Sequence, residues 1–267
     1  VYRFLLTPRW LGILALTLAA SVVMVLLGNW QLSRYQERTA INDRIDAADK
    51  VPPAPLGATL PSAGGAAGTA GQTPPAEAAW TRVTVTGQYD SANVILVRNR
   101  TVDRVGFEVV TPLVLADGTA VLVDRGWIPP APGGATARPQ FPTAPGGQVT
   151  VVGRVHLSES HPDAVQRRDG RLETRRIAVP QLAGELPYPV YGAYLLLEEQ
   201  TPPADPTFSA IPIRHENNWQ NGGYVIQWWL FAVMTLVGFG WLARREAHGD
   251  AGRDAAPRDR AAEPAPV

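Results

Sequence analysis

The chain has 267 residues, with 24 Lys+Arg balanced by 24 Asp+Glu. A formal charge of zero excludes the basic footprint of a nucleic-acid binder and any strong acidic field. The absence of Cys excludes a disulfide framework, a thiol nucleophile, thiolate metal sites and CxxCH haem attachment.

Gly and Pro number 25 each, which predicts long irregular segments in a chain sized for one domain plus two membrane spans. Lys50 is the only lysine; with abundant Ala, Gly, Pro and Arg, this usage is that of a GC-rich bacterial genome.

Residues 1–9 carry Arg3 and Arg9 and read as a short tail. No residue from Trp10 to Ser33 is charged, and 11–27 is almost wholly aliphatic. That run exceeds a signal-peptide core and no small-x-small cleavage site follows, so 10–29 reads as an uncleaved transmembrane helix. Trp10 and Trp30 bracket it as interfacial aromatics do. In 30–50, Leu32 and Tyr35 are three residues apart and Ile41 and Ile45 four, with Arg34, Arg38 and Arg44 between them, which predicts an amphipathic helix. Pro, Ala, Gly and Ser dominate 51–79 without periodicity, the pattern of a flexible linker or loop insertion.

Strand signals fill 80–212. Alternation or β-branched runs mark 81–88, 94–97, 107–115, 120–124, 149–157 and 194–198, and Asp117-Gly118 marks a tight turn. Pro112 predicts an edge or a bulge in its strand. A second Pro/Gly-rich insertion covers 129–147, and a short helix fits between Pro180 and Pro187. The expected fold class is a membrane protein whose two transmembrane helices flank an extracytoplasmic, mainly antiparallel β domain, a sandwich or partly closed barrel of α+β type.

Residues 213–223 read as a membrane re-entry segment. The uncharged run 224–243 would make a helix of roughly 30 Å, the thickness of a bilayer's hydrocarbon core. Arg244 and Arg245 end it, and 244–267 reads as a disordered tail. Arg3 and Arg9 before the first span, and Arg244, Arg245, Arg253, Arg258 and Arg260 after the second, place both termini in the cytoplasm of a bacterial cell by the positive-inside rule.

Signals for chemistry are sparse. No nucleophile elbow, phosphate loop, metalloprotease helix or dinucleotide fingerprint occurs, so nothing points to an enzyme. With no Cys and two Met, copper delivery is not expected. His156 and His161 read as surface residues rather than a metal pair, and His248 as solvated. His215, nine residues before Tyr224, has two readings: a haem-iron ligand or an interfacial residue. Arg98, Arg100, Arg104 and Arg125, with Asp124 and Trp127, are either a carboxylate site, such as one for haem propionates, or structural ion pairs beside a core tryptophan. Gln227, about one turn into the second span, needs a partner, and Tyr224, Trp228 and Trp229 surround it.

An ordered set of segments resembles the Surfeit locus protein 1 family. Gly28-Asn29-Trp30-Gln31-Leu32-Ser33-Arg34 follows the first span. Arg82–Asp90 matches the family's first strand. Gly106–Leu113, Asp117-Gly118 and Val123-Asp124-Arg125-Gly126-Trp127-Ile128-Pro129 match its central hairpin. Val152-Gly153-Arg154 and Tyr224-Val225-Ile226-Gln227-Trp228 complete the series. The insertions 51–79 and 129–147 depart from the family's compact pattern.

The resemblance implies a factor that assembles a haem–copper terminal oxidase, cytochrome c oxidase, by helping haem a into the catalytic subunit or stabilising that subunit. The implied partners are the catalytic subunit, other assembly factors and membrane lipid, and the implied cofactor is transient haem a. Candidate contacts are His215, Arg125, Arg98, Trp127, Tyr224, Gln227 and Trp228. Several members carry a His, linked to haem a, three residues before the span's Tyr; here that position is Asn221. The competing reading is an interaction scaffold that binds no haem.

Overall fold

The uncharged stretches near both ends form helices and the alternating stretches between them form strands. The computed structural model describes residues 3–254, with side chains through His248. Helix α1 (Pro8–Ala48) leads to β1 (Ala54–Pro55), the one-turn α2 (Leu56–Thr59), β2 (Arg82–Tyr89), β3 (Ile95–Thr101), β4 (Val105–Val114), β5 (Ala120–Ile128), β6 (Gln148–Leu157), β7 (Gln166–Arg168), β8 (Arg171–Thr174), α3 (Val179–Ala183), β9 (Val190–Thr201) and α4 (Trp219–Asp254). These fall into two compact units, Val1–Ala40 with Glu216–Val267, and Ile41–His215.

The first unit is built on the two long helices. At 1.5 Å per residue, the 41 residues of α1 span roughly 60 Å, about twice a bilayer's hydrocarbon core. The apolar span and the amphipathic segment are one helix with no break at position 30. Only 17% of the most apolar window of α1 and 11% of that of α4 is buried, so neither is the core helix of a soluble fold. Leu16, Val22, Leu26, Ile226, Val233 and Val237 all face outward. Two such outward-apolar helices are consistent with membrane anchoring.

Helix α4 begins at Trp219, inside the expected re-entry segment, and runs past Arg244 and Arg245 to Asp254. The expected tail is therefore helical at its start. Residues 255–267 of that tail, and residues 1–2 of the first, lie outside the described residues.

The second unit carries a nine-stranded sheet in the order β1-β2-β6-β9-β5-β4-β3-β8-β7. It is mixed, which corrects the mainly antiparallel expectation: β1–β2, β3–β8 and β5–β9 run parallel. A further pairing, Gln88↔Val114 and Tyr89↔Leu113, joins β2 to β4. It closes β2, β6, β9, β5 and β4 into a five-stranded ring, a small barrel extended by β3, β8 and β7.

Val83, Val85, Leu113, Val121, Val123, Val151 and Leu195 fill the ring interior. Alternate residues such as Val110, Leu122 and Leu196 face a second core under α3 with Ile177 and Leu182. Burial on both faces explains why every residue of β5 is buried. Pro112 is not on an edge: β4 lies between β3 and β5, and its bulge falls between Glu108 and Val110. Proline is tolerated there because the β3 register ends at Val110 and leaves no ladder acceptor for an N–H.

Residues 51–79 are not a free linker. Leu56 and Leu60, one helical turn apart, are buried in the ring's core with Ala63 and Ala78. Strand β1 pairs with β2, and Gly71 N–H donates to Val190 O at 2.7 Å. A Cβ on Gly192 would overlap the Gln72 backbone, so this segment lies directly on β9. Composition conveys looseness, but two leucines at the right spacing suffice to dock it.

Candidate functional site

Within the first unit, α1 and α4 run antiparallel along a ladder of contacts. Trp10 meets Phe239 edge to face at 6.0 Å, and Thr235 Oγ1 donates to Met24 Sδ at 3.7 Å. The Trp229 indole covers Gly28, where a Cβ would overlap it. Asn221 Nδ2 donates to Gln31 Oε1 at 2.7 Å and Asn218 Nδ2 to Thr39 Oγ1 at 2.8 Å. Small residues and side-chain amides thus join the helices, as in membrane bundles. Beside Trp229 lies an apolar groove of about 600 Å³, lined by Leu18, Val22, Leu26, Val233 and Leu236. Tyr224 and Gln227 are exposed, and half-buried Trp228 meets Phe231 at 6.2 Å.

The other candidates lie in the second unit. Arg125, on β5, is buried, its guanidinium 4.6 Å from the centroid of Phe208 and 5.6 Å from that of Tyr89. Its Nη groups donate long hydrogen bonds to Pro142 O and Thr143 O, at 3.4 and 3.5 Å. Burial pulls its pKa down. This arginine ties β5 to the 129–147 insertion rather than presenting a fork to solvent. Trp127 is buried and donates Nε1–H to Arg100 O at 3.0 Å. Arg98 is 40% exposed, 3.9 Å from Asp163, and faces a separate cleft. His215 Nε2 stands 2.8 Å from Asp46 Oδ1, both half exposed.

Two charged networks organise this unit; the sequence singles out for chemistry Arg100 and Asp124 of the second but not their carboxylate partners, and nothing of the first. Glu198 on β9 is clamped by Arg82 Nε and Arg154 Nε, each at 2.7 Å. Arg154 also reaches Asp49 at 2.5 Å and the Ile45 carbonyl. That hydrogen bond holds the Asp49 carboxyl below its ordinary pKa. Arg100 pairs with Glu108 at 2.9 Å and Glu159 at 2.5 Å. Beside them Asp124 is fully buried, and burial, reinforced by the Glu108 charge, pushes its carboxyl well above the ordinary range. Burial raises Glu108 as well. Most of these partners lie tens of residues apart in the chain; Arg100 and Glu108 are near neighbours that meet across the β3–β4 hairpin.

The SURF1 family model matches residues 18–233. The chain belongs to the SURF1 family. Uncharacterized SURF1-like proteins of Mycobacterium bovis and Mycobacterium tuberculosis are each 31% identical over 249 residues, covering 91% of this chain and 86% of theirs.

Several family-like segments prove architectural in this SURF1 chain. Arg82 and Arg154 clamp Glu198, Trp127 anchors the central hairpin, and Gln31 bonds Asn221.

Position 221 of the helix pair does not fit haem iron. Asn221 offers an amide already bonded to Gln31, and no His stands between Trp219 and Ala243. His248 is bonded through Nδ1 to Arg244 O at 2.7 Å. His156 is packed between Trp80 and Tyr194, and burial lowers its pKa. His161 bonds Ser160 on the surface. The described residues contain no group of three or more His, Cys, Asp or Glu that could hold a metal. The groove beside Trp229 fits an apolar chain; it supplies no iron ligand.

Proposed function

We propose that this SURF1-family chain is a membrane-anchored, non-enzymatic assembly factor for a haem–copper terminal oxidase. It stabilises the catalytic subunit by direct contact and does not itself ligate haem iron. Family membership supports oxidase assembly, and the outward-apolar faces of α1 and α4 support work within the bilayer. The observation that carries the choice between carrier and scaffold is at position 221. Where family members carry a haem-linked His, this chain has Asn221 spent on an interhelical hydrogen bond with Gln31 at 2.7 Å. In this reading both termini are cytoplasmic, as the flanking arginines favour, and the β domain is extracytoplasmic.

The test is to co-express the chain with the oxidase catalytic subunit and a haem a synthesis pathway, then purify it in detergent. The catalytic subunit is expected to co-purify. The factor isolated alone is expected to show no haem a absorption, with His215→Ala identical to wild type. A haem a band that His215→Ala abolishes would replace the scaffold with a carrier that ligates through His215.

A further inference from the structure

We propose that the cleft lined by the adjoining strands β4, β3, β8 and β7 and by the 129–147 insertion binds a small soluble oxyanion, one that offers phosphate or paired carboxylate groups to Arg98 and Arg168. The inference is independent of the assembly role.

The cleft measures about 420 Å³, within the size range of small-molecule sites. Arg98 and Asn99 come from β3, Phe107 from β4, Arg138 from the 129–147 insertion, Arg168 from β7, and Arg175 from just beyond β8. Four guanidinium groups thus face one carboxylate in the wall, Glu173.

The distances show which charges are already satisfied. Glu173 Oε1 is ion-paired with Arg138 Nε at 2.6 Å without a formed hydrogen bond, while Arg168 stands 4.0 Å from Oε2. Asp163 Oδ2 accepts from Arg175 Nε at 3.0 Å, while Arg98 stands 3.9 Å away. Arg98 and Arg168 are each second in line for a carboxylate that a nearer arginine holds, at distances too long for a hydrogen bond. Each keeps a planar fork of donors that matches an oxyanion.

The backbone is shaped for the same end. Strand β3 bulges between Arg98 and Arg100, with Asn99 at φ 64°, a left-handed conformation uncommon outside glycine. Bulges of this kind re-aim side chains. Arginines on a short edge strand such as β7 also ward off stray pairing, but that role requires neither a cleft nor a bulge in β3, on the far side of β8. Val105 and Phe107 add an apolar wall, suited to an anion with a carbon frame.

Calorimetric titration of the full-length, detergent-purified protein at low ionic strength tests the assignment. The probes are inorganic pyrophosphate and citrate, with potassium chloride at matched ionic strength as the control. Saturable one-site binding is expected for at least one probe. Arg98→Gln and Arg168→Gln should each weaken it at least about tenfold, the scale of one lost charge-assisted hydrogen bond. Arg167→Gln should leave it unchanged, since Arg167 lies outside the cleft lining and bonds Gly170 O and Glu185 O. Because Arg98 and Arg168 are about half exposed, unchanged melting of both variants is expected and would tie the loss to the cleft. The proposal fails if neither probe saturates, or if Arg167→Gln costs as much as Arg168→Gln. It fails too if only hexaglutamate or phosphatidylglycerol vesicles bind, which would assign the arginines to an acidic protein segment or a lipid surface.

Discussion

Leu122 and Leu236 are the same side chain in opposite settings. Leu122 is fully enclosed in β5, whereas Leu236 is 45% exposed on α4. The contrast runs through both units. In the β unit, apolar side chains point inward and several enclosed charges are paired: Arg154 and Arg82 hold Glu198, and Arg100 holds Glu108 and Glu159. In the helix pair, apolar side chains point outward. The interhelical seam holds a covered glycine at 28 and amide bonds such as Gln31–Asn221. Each unit hides the groups that its surroundings would not suit: the β unit keeps its apolar side chains from water, and the helix pair keeps amides in its seam, as a pair set in hydrocarbon would.

The largest break in that comparison should come from a buried charge. Arg154→Met leaves Glu198 with Arg82 alone and strips the Ile45 carbonyl of its donor. Because Glu198 keeps Arg82, the loss is that of charge-assisted hydrogen bonds rather than of a whole buried pair, about 3 kcal/mol, which chemical denaturation of the β unit would read. Leu60→Ala comes next, at about 2–3 kcal/mol by core truncation. If 51–79 were only a tether, that variant would unfold at the wild-type denaturant concentration.

For the helix pair, Gly28→Val forces a branched side chain under the Trp229 indole. Overpacking of this kind costs about 1–3 kcal/mol. The chain has no native Cys, so Met24→Cys with Thr235→Cys gives a clean disulfide readout of the seam. Cross-linking should fall in the Gly28→Val background while the β unit's denaturation is unchanged.

The smallest effect is a pH slope. Below the ordinary Asp value of 3.8, Asp124 is protonated in both folded and unfolded chains. As pH rises past that value the unfolded chain releases its proton first, because burial keeps the folded carboxyl protonated. Stability therefore falls with rising pH until the folded pKa is reached, by at most about 1.4 kcal/mol per pH unit for one proton. Asp124→Asn should flatten this decline. Glu108, also raised by burial, would retain a residual slope of the same sign. An unflattened profile would show that the Asp124 carboxyl ionises normally in the folded chain.

Much of the architecture was legible because it rests on local periodicity. The uncharged runs at 10–29 and 224–243 had to be apolar helices, and the alternation in 81–88 and 149–157 had to be strands. Strands β7 and β8 were missed because Gln166-Arg167-Arg168 and Arg171-Leu172-Glu173-Thr174 lack an apolar alternation; Leu172 alone fills their core position. For the candidate site, the sequence singled out Arg98, Arg125, Trp127 and His215. Only the structure shows that Arg125 is locked between aromatic rings, that His215 faces Asp46, and that Arg98 opens into a cleft with Arg138, Arg168 and Arg175.

By itself the sequence determined the helical ends, most strands, the Asp117-Gly118 turn and the family pattern, since each is written within about ten neighbouring residues. Tertiary structure decided the parallel pairings, the closure of the ring through Tyr89 and Leu113, the docking of 51–79, and the partners of Glu198 and Asn221. Those contacts join residues 24 to 190 positions apart, where no local pattern specifies a partner and the choice falls to whichever closure buries the most apolar surface while leaving charges and amides satisfied.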